Sequence, residues 1–228
     1  MKGHRKRGCD QGFTLLEVLV VILILGIVMA GVYSVYTSQQ KSFLIQEDVA
    51  EMQQNLRAAM FSMVREIRLA GCNPTGKATA GIVTATSTAT SISVTMDISG
   101  NNPNVDPPDG DTGDANEAVT YALMDTDGDG TMDSLGRNTG GGLQPVASNI
   151  DALNFVYLDG SGGPTADSTQ IRSVQVTVVA RTENPSVGFR NTAIYTNPWG
   201  DIVLPAQNDA ARRKVFTTRI RCRNLGLL

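Results

Sequence analysis

Residues 12–20, with the sequence GFTLLEVLV, decide how this chain is organised. A small residue, Gly12, precedes an aromatic one, Phe13, and one acid, Glu17, lies at the head of a long apolar run. Glu17 is the single charged residue of residues 13–36. A helix over those residues would be ~36 Å long at ~1.5 Å per residue, enough for a bilayer core of ~30 Å. The stretch therefore predicts a membrane-spanning helix.

Residues 1–12 are basic and lack periodicity, which predicts a leader. Their charged residues are Lys2, Arg5, Lys6, Arg7 and Asp10. After the apolar run, the first basic residue is Lys41. Since positively charged flanks stay in the cytoplasm, we expect a cytoplasmic N-terminus and an exported remainder.

The composition excludes several classes of function. Removal of residues 1–12 leaves 15 basic and 21 acidic residues, a net charge of −6, which argues against a nucleic-acid partner. His4, the only histidine, lies in the leader, so a chain that begins at Phe13 has no imidazole for Ser-His-Asp or Cys-His catalysis or for a metal. No Gly-x-Ser-x-Gly motif or phosphate loop occurs either. We predict that the protein is not an enzyme, although its many acids are compatible with an acid-only glycosidase.

A secretory signal peptide is the alternative reading of the N-terminus. Its apolar core would be residues 15–28, with cleavage after Ala30. Glu17 would then be an acid within that core, at a cost of roughly 2.5 to 3.5 kcal/mol if it lay at mid-bilayer. The helical pattern also continues past Ala30, which favours a retained helix.

The second part of the helix is amphipathic, because its apolar residues recur at steps of four and three. These residues are Ile45, Val49, Met52, Leu56, Met60, Met63, Ile67 and Ala70. No proline interrupts residues 13–70, whereas Gly71 and Pro74 provide a stop. We predict one helix with a membrane half, residues 13–36, and an amphipathic half, residues 37–71.

The composition changes after Pro74, and residues 75–228 are predicted to form a β-rich head. Patterns of β-branched and apolar residues predict strands at residues 81–85, 92–96, 118–124, 152–158, 172–181 and 214–223. Turn-forming residues fill residues 100–116, which predicts an exposed loop. The predicted fold class is α+β, with the long N-terminal helix packed on a mainly antiparallel sheet.

The basic leader that ends in glycine, followed by FTLLE at residues 13–17, resembles the type IV prepilin signal. The resemblance implies cleavage between Gly12 and Phe13 by the prepilin peptidase, and N-methylation of the new Phe13 amine. It also implies a subunit held in the bacterial inner membrane with its head in the periplasm, and later a place in a pilus at the cell surface. The implied partners are the peptidase, the inner membrane, and other major and minor pilins that pack against the N-terminal helix.

After this cleavage, Glu17 can act as a counter-charge to the new N-terminus. The Phe13 amine of the cleaved chain is a cation in the apolar rim of the membrane, and Glu17 of the same or a neighbouring subunit is its counter-charge. We interpret Glu17 as the residue that sets assembly register, since a subunit docked at the wrong height leaves both charges unpaired. An incidental interfacial acid is the alternative.

Three further segments, residues 65–71, 149–158 and 219–225, resemble PilW-type minor pilins. Ser34 also lies where many major pilins carry a helix-kinking proline, and the head is larger than in most of them. We therefore predict a minor pilin that primes, caps or decorates a type IV pilus. One alternative is a J-type minor pseudopilin of a type II secretion system, and another, of a different class, is a secreted calcium-dependent adhesin or hydrolase.

Residues 125–133, DTDGDGTMD, fit the first nine positions of an EF-hand-like calcium loop. The ligands would be Asp125, Asp127, Asp129 and Asp133, with the Thr131 carbonyl at position 7. Position 12 is Gly136, so the bidentate glutamate is missing, and a β-turn of Asp-Gly pairs is the alternative. The aspartates of residues 106–114 lack this spacing and predict a solvated loop. The predicted role requires no cofactor, and calcium is the one candidate.

Cys72 and Cys222 are the cysteines of the exported part. Cys72 ends the helix, and Cys222 lies in the last strand, which the pilin resemblance places near the helix. An oxidising periplasm would permit a disulfide between them, worth on the order of 4 to 5 kcal/mol in the chain-entropy model. Two buried free thiols are the alternative.

Overall fold

The computed structural model describes residues 12–102 and 106–226. The chain divides into two compact units, Met1–Gln46 and Glu47–Leu228. Of the predicted leader, only Gly12 lies within the described residues. The boundary between the units falls inside the predicted amphipathic half, residues 37–71, because burial of the helix begins only at Met52.

The helix α1, Leu15–Leu69, is the one helix among the described residues. It ends where predicted, since Gly71 adopts a left-handed φ of 80° that lets the chain turn away. The backbone N–H of Gly71 donates to the carbonyl of Thr95, 3.0 Å away. The predicted single long helix is thus confirmed.

In the first unit every large apolar side chain of α1 as far as Leu44 is exposed, and Ile45 is half-buried. These side chains run from Leu15 to Leu44 and have no core of their own to enter. By length and composition, α1 is long and apolar enough to cross a membrane, and no other helix in the described part of the chain is. An unburied face of this extent requires lipid or other protein around it.

The described residues of the second unit form nine strands. They are β1 Ser91–Thr95, β2 Ala118–Met124, β3 Ser134–Asn138, β4 Leu143–Ala147, β5 Ile150–Leu158, β6 Ser173–Arg181, β7 Tyr195–Thr196, β8 Ile202–Leu204 and β9 Arg213–Arg221. They form three sheets, with the orders β1-β2-β3-β4, β5-β6-β9 and β7-β8. Every pair of neighbours is antiparallel.

One core joins the amphipathic part of α1 to the two larger sheets. The helix contributes Met52, Leu56, Ala59, Met60, Met63 and Ile67. The sheets contribute alternate residues such as Ile92 and Val94 of β1 and Val174, Val176 and Val178 of β6. The predicted apolar stripe of the helix therefore meets the sheets, as the 3.6-residue period requires.

The prediction of a β-rich antiparallel head is confirmed, with two corrections. The strand predicted at residues 81–85 is reduced to a bridge between Ile82 and Val94, because the chain turns at residues 84–86. Strands β3, β4, β7 and β8 were not predicted. Gly136 and Pro145 lower the β-propensity of β3 and β4, and β7 and β8 have only two and three residues. Gly136 is required there, because a Cβ would lie 2.8 Å from the Met124 sulfur.

Candidate functional site

The N-terminal site consists of Gly12 and Phe13, which precede α1, and of Glu17 in its first turn. Gly12 has no neighbouring atom within 4 Å of the position that a Cβ would occupy, and the Phe13 ring is 85% exposed. The peptide bond between them is therefore accessible and lies outside the helix. The structure places Gly12 and Phe13 ahead of the helix, and cleavage between them stays a prediction.

Thr14 and Glu17 form a capping box at the start of α1. The Glu17 Oε2 accepts the Thr14 backbone N–H at 3.2 Å and its hydroxyl at 3.3 Å, and the Glu17 backbone N–H donates to Thr14 Oγ1 at 3.3 Å. This arrangement satisfies free N–H groups of the first turn, and it places a carboxylate at the positive end of the helix dipole. The Thr-x-x-Glu spacing in the sequence was the signal for this role, which our sequence analysis missed.

The capping box bears on the predicted register function of Glu17. In the uncleaved chain Phe13 has a peptide nitrogen and no charge, so the carboxylate has only local donors. After cleavage the Phe13 amine becomes a competing donor, and it is charged. The assembly role of Glu17 is not tested by this geometry and stays a prediction.

Glu66 connects α1 to the β1–β4 sheet. Its Oε1 accepts Arg137 Nη2 at 2.7 Å and Nε at 3.0 Å, and its Oε2 accepts the Tyr121 hydroxyl at 2.6 Å. The Ser62 hydroxyl lies 2.6 Å from the same phenol. Burial and the hydrogen bond to Glu66 raise the pKa of Tyr121 well above its ordinary value, so the phenol stays protonated and donates. This network fixes the register between helix and sheet, because each partner comes from a different element.

A second ion-pair network lies on the β5-β6-β9 sheet and extends to Asp133, the residue before β3. Arg181 bridges Asp133 at 2.7 Å and Asp151 at 3.3 Å, and Arg213 bridges Asp151 and Asp209. The Arg213 side chain is 3% exposed, so each carboxylate compensates a buried charge. The hydrogen bond to Arg213 lowers the pKa of Asp209.

The predicted calcium loop is only partly assembled. Carboxylate oxygens of Asp125, Asp127 and Asp129 lie within 4.8 Å of one another. Asp133, the predicted ligand at position 9, instead binds Arg181 across the sheets. The structure does not bring Asp133 into this group of carboxylates.

Backbone donors already satisfy part of the loop. Asp125 accepts the N–H groups of Gly128 at 2.7 Å and Gly130 at 2.8 Å, and these bonds lower its pKa. Gly128 and Gly130 have positive φ angles of 80° and 88°, which shows why glycine occupies both positions. The loop is thus a stable turn without an ion, and calcium binding stays a prediction.

The loop that we predicted to be merely solvated gathers its acids equally closely. Oxygens of Asp109, Asp111 and Asp114 also lie within 4.8 Å of one another. Desolvation, followed by the neighbouring acids, raises the pKa of Asp114, opposite to the shift at Asp125. Buried Glu117 holds this loop, because its carboxylate accepts the backbone N–H groups of Ile98 and Ser99. Proximity of acids therefore does not distinguish the two loops.

The disulfide predicted between Cys72 and Cys222 is absent from the structure, where both thiols are free. Cys222 is buried and Cys72 is half-buried. Burial raises the pKa of Cys222 to about 12, and burial with the nearby Asp97 carboxylate raises that of Cys72. Both side chains are therefore protonated thiols here, and the bridge stays a prediction for an oxidising compartment.

Comparisons with known proteins bear on the N-terminal site. Residues 7–33 match the prokaryotic N-terminal methylation motif. No curated protein matches the sequence. Among solved structures, a type IV-like pilin from Thermus thermophilus is similar, with 13% identity and a TM-score of 0.41 over 76% of this chain and 97% of that one.

The methylation motif spans the Gly12–Phe13 bond and Glu17. It precedes a long helix, and it supports the predicted type IV pilin superfamily. The motif implies processing by a prepilin peptidase and assembly with other pilins, and it is consistent with anchoring in the inner membrane. Motif and fold indicate a structural protein. The PilW-type assignment finds no match and stays a prediction.

Proposed function

We propose that this pilin-like protein is a minor, PilW-like pilin that primes, caps or decorates a type IV pilus. The observation that carries the proposal is the contrast at the N-terminus, where an accessible Gly12–Phe13 bond in a methylation motif is followed by a helix with no buried apolar side chain as far as Leu44. Such a helix suits a subunit that is stored in a membrane and then packed among other helices.

The proposed sequence of events follows from these residues. The peptidase cleaves after Gly12, and the Phe13 amine is methylated and carries a positive charge. Glu17 then exchanges its donors at Thr14 for this amine or for that of a neighbouring subunit. Because an unpaired charge within an apolar bundle costs several kcal/mol, the subunit is accepted only at the height where the pair forms.

Mass spectrometry of the protein extracted from membranes tests the processing. We expect a mature chain that begins at methylated Phe13. A Gly12→Val variant, with a branched side chain at the cleaved bond, is expected to retain Met1, while the matched variant Gly31→Val is cleaved normally. A mature N-terminus at Gly31 in the natural chain would instead support the secreted alternative.

Glu17→Gln separates cleavage from assembly. We expect normal processing but loss of the subunit from sheared pili, since an amide cannot neutralise the amine. Glu47→Gln, an exposed acid of the same helix, is the control and is expected to assemble normally. Incorporation of the Glu17→Gln chain at the natural level would contradict the register role.

A J-type minor pseudopilin of type II secretion is the second candidate, because it would use the same N-terminal anchor. Deletion of the gene distinguishes the two systems. Loss of surface pili with normal exoprotein secretion supports the pilus, and the reverse supports secretion.

Calcium binding by residues 125–131 is a separate proposal, supported by the convergence of Asp125, Asp127 and Asp129. Calorimetric titration of the full chain with calcium is expected to give one weak site, in keeping with few charged ligands. Asp127→Asn is expected to abolish the heat, whereas Asp111→Asn in the other acidic loop leaves it unchanged. Absence of heat in the millimolar range would show that the loop is a turn only.

A further inference from the structure

Strand β9 forms an open edge of its sheet. It pairs with β6 along its whole length, and no strand within residues 12–102 and 106–226 pairs with its other side. Its nine residues include no proline, and its pairing with β6 has no register shift. Proteins usually shorten, bend or cover such edges, because their free N–H and C=O groups can pair with another chain.

An apolar groove of about 780 Å³ lies beside this edge, within the second unit. Residues of α1 and β9 line it, among them Phe61, Val64 and Phe216. The Phe61 side chain is 75% exposed and that of Phe216 is 44% exposed. A strand added to β9 would direct every second side chain toward one face of the sheet, which is the face that the groove borders.

The rim of the groove is basic. Arg65, Arg68 and Arg223 line it, and Arg57 and Lys214 line a smaller depression next to it. All five side chains are exposed, and none takes part in an ion pair among the described residues. The whole chain has a net charge of −3, so these cations are a local concentration of positive charge.

The charges of β9 itself restrict the partner strand to one that is not basic. Its ionisable residues are Arg213, Lys214, Arg219 and Arg221, all basic. Two copies of β9 that paired edge to edge would therefore bring like charges together, which is unfavourable. An acidic strand would instead meet opposite charges from both β9 and α1.

We propose that β9 and the adjacent groove accept an extended acidic segment of another protein. The segment adds to the sheet as an antiparallel or parallel strand, and every second one of its side chains faces the groove. At those positions apolar side chains pack against Phe61 and Phe216, and carboxylates pair with Arg65 and Arg68. The surface lies in the second unit, so it acts independently of cleavage at Gly12.

A labelled nine-residue peptide tests this surface. It carries valine and glutamate in turn at every second position, with threonine between them, so that both kinds of side chain face the groove. Its binding to the full chain in lipid nanodiscs is followed by fluorescence anisotropy. We expect saturable binding that weakens at least tenfold in the double variant Arg65→Glu, Arg68→Glu. The control Arg190→Glu reverses an exposed charge that lines neither the groove nor the smaller depression, and it is expected to change affinity less than twofold.

Hydrogen exchange separates strand addition from simple charge attraction. We expect the amides of β9 to exchange at least fivefold more slowly with the peptide bound, while those of β7 and β8 do not change. Equal binding of a peptide with lysine in place of glutamate, or unprotected β9 amides, would overturn the proposal. Self-association of the chain, if the same double variant abolished it, would also overturn the proposal, because the groove would then hold a second copy of this chain. The Gly12→Val chain is expected to bind the peptide normally, so failure of processing and failure of this surface are distinguishable.

Discussion

The two parts of α1 share one backbone geometry but differ in what surrounds them. In the first unit the apolar side chains of the helix are exposed, whereas from Met52 onward one stripe is buried against the sheets. The first part is apolar on all sides, as a helix surrounded by lipid or by other helices must be, and the second part is apolar on one side only. The comparison shows that the same helix is specified for two environments, and only one of them is supplied by this chain.

The largest expected effect comes from removal of buried volume on one side of this comparison. Met63 is fully buried, and Met63→Ala is expected to lower the free energy of unfolding of the second unit by about 3 kcal/mol. Ile24→Ala, at a side chain that is 54% exposed, is expected to leave that free energy within about 0.5 kcal/mol. Urea unfolding of the full chain in nanodiscs, followed by the fluorescence of Trp199, measures both. Equal losses would show that the two parts are not energetically distinct.

The next effect concerns the polar anchor of the second part. Glu66→Ala leaves Arg137 and the Tyr121 hydroxyl without their common acceptor, and we expect a loss of about 2 kcal/mol. Glu66→Gln keeps one acceptor oxygen and is expected to lose less. Glu51→Ala, at an exposed position of the same helix, is the control with no such partners in the described part of the chain. The same unfolding measurement applies, and a stability equal to that of the control would exclude an anchoring role.

Much of this division could be read from the sequence. The uninterrupted apolar run with one acid predicted the first part of α1, and the four-three spacing of Met52, Leu56, Met60, Met63 and Ile67 predicted the buried stripe. The Glu66 anchor could not be predicted, because its partners Tyr121 and Arg137 are distant in sequence and meet only in the folded sheet. The ion pair of Asp133 with Arg181 could not be predicted for the same reason, since Arg181 lies far beyond the local spacing that suggested Asp133 as a calcium ligand.

A smaller effect is expected at the start of the first part. Thr14→Ala removes one side of the capping box, which is typically worth about 1 kcal/mol of helix stability. The amides of residues 15–19 are therefore expected to exchange about fivefold faster, while the second unit keeps its stability. Thr37→Ala, within the same helix, removes a hydroxyl that bonds only to the Ser34 carbonyl and serves as the control. Unchanged exchange would mean that the surrounding membrane, and not the cap, holds this end.

Acid is expected to act mainly on the second part, because all ion pairs in the described residues lie there and Glu17 is the one acid in residues 13–36. Arg213 depresses the pKa of Asp209 below its ordinary value of ~3.9. The stabilisation from this pair is complete above about pH 4 and is lost as the pH falls through the lowered pKa. Since Asp209 is 42% exposed, we expect less than about 1 kcal/mol.

Unfolding of the second unit at pH 7 and pH 3 measures this term. Asp209→Asn is expected to reduce the difference between the two pH values, whereas Glu183→Gln, at an exposed acid without an ion pair in the described residues, leaves it unchanged. Residues 20–40 contain no carboxylate. The protection of their amides, relative to the intrinsic exchange rate at each pH, is therefore expected to be the same at pH 3 and pH 7. Loss of this protection at pH 3 would show that the stability of the segment depends on the second unit. The two parts of the helix would then differ in burial but would unfold together.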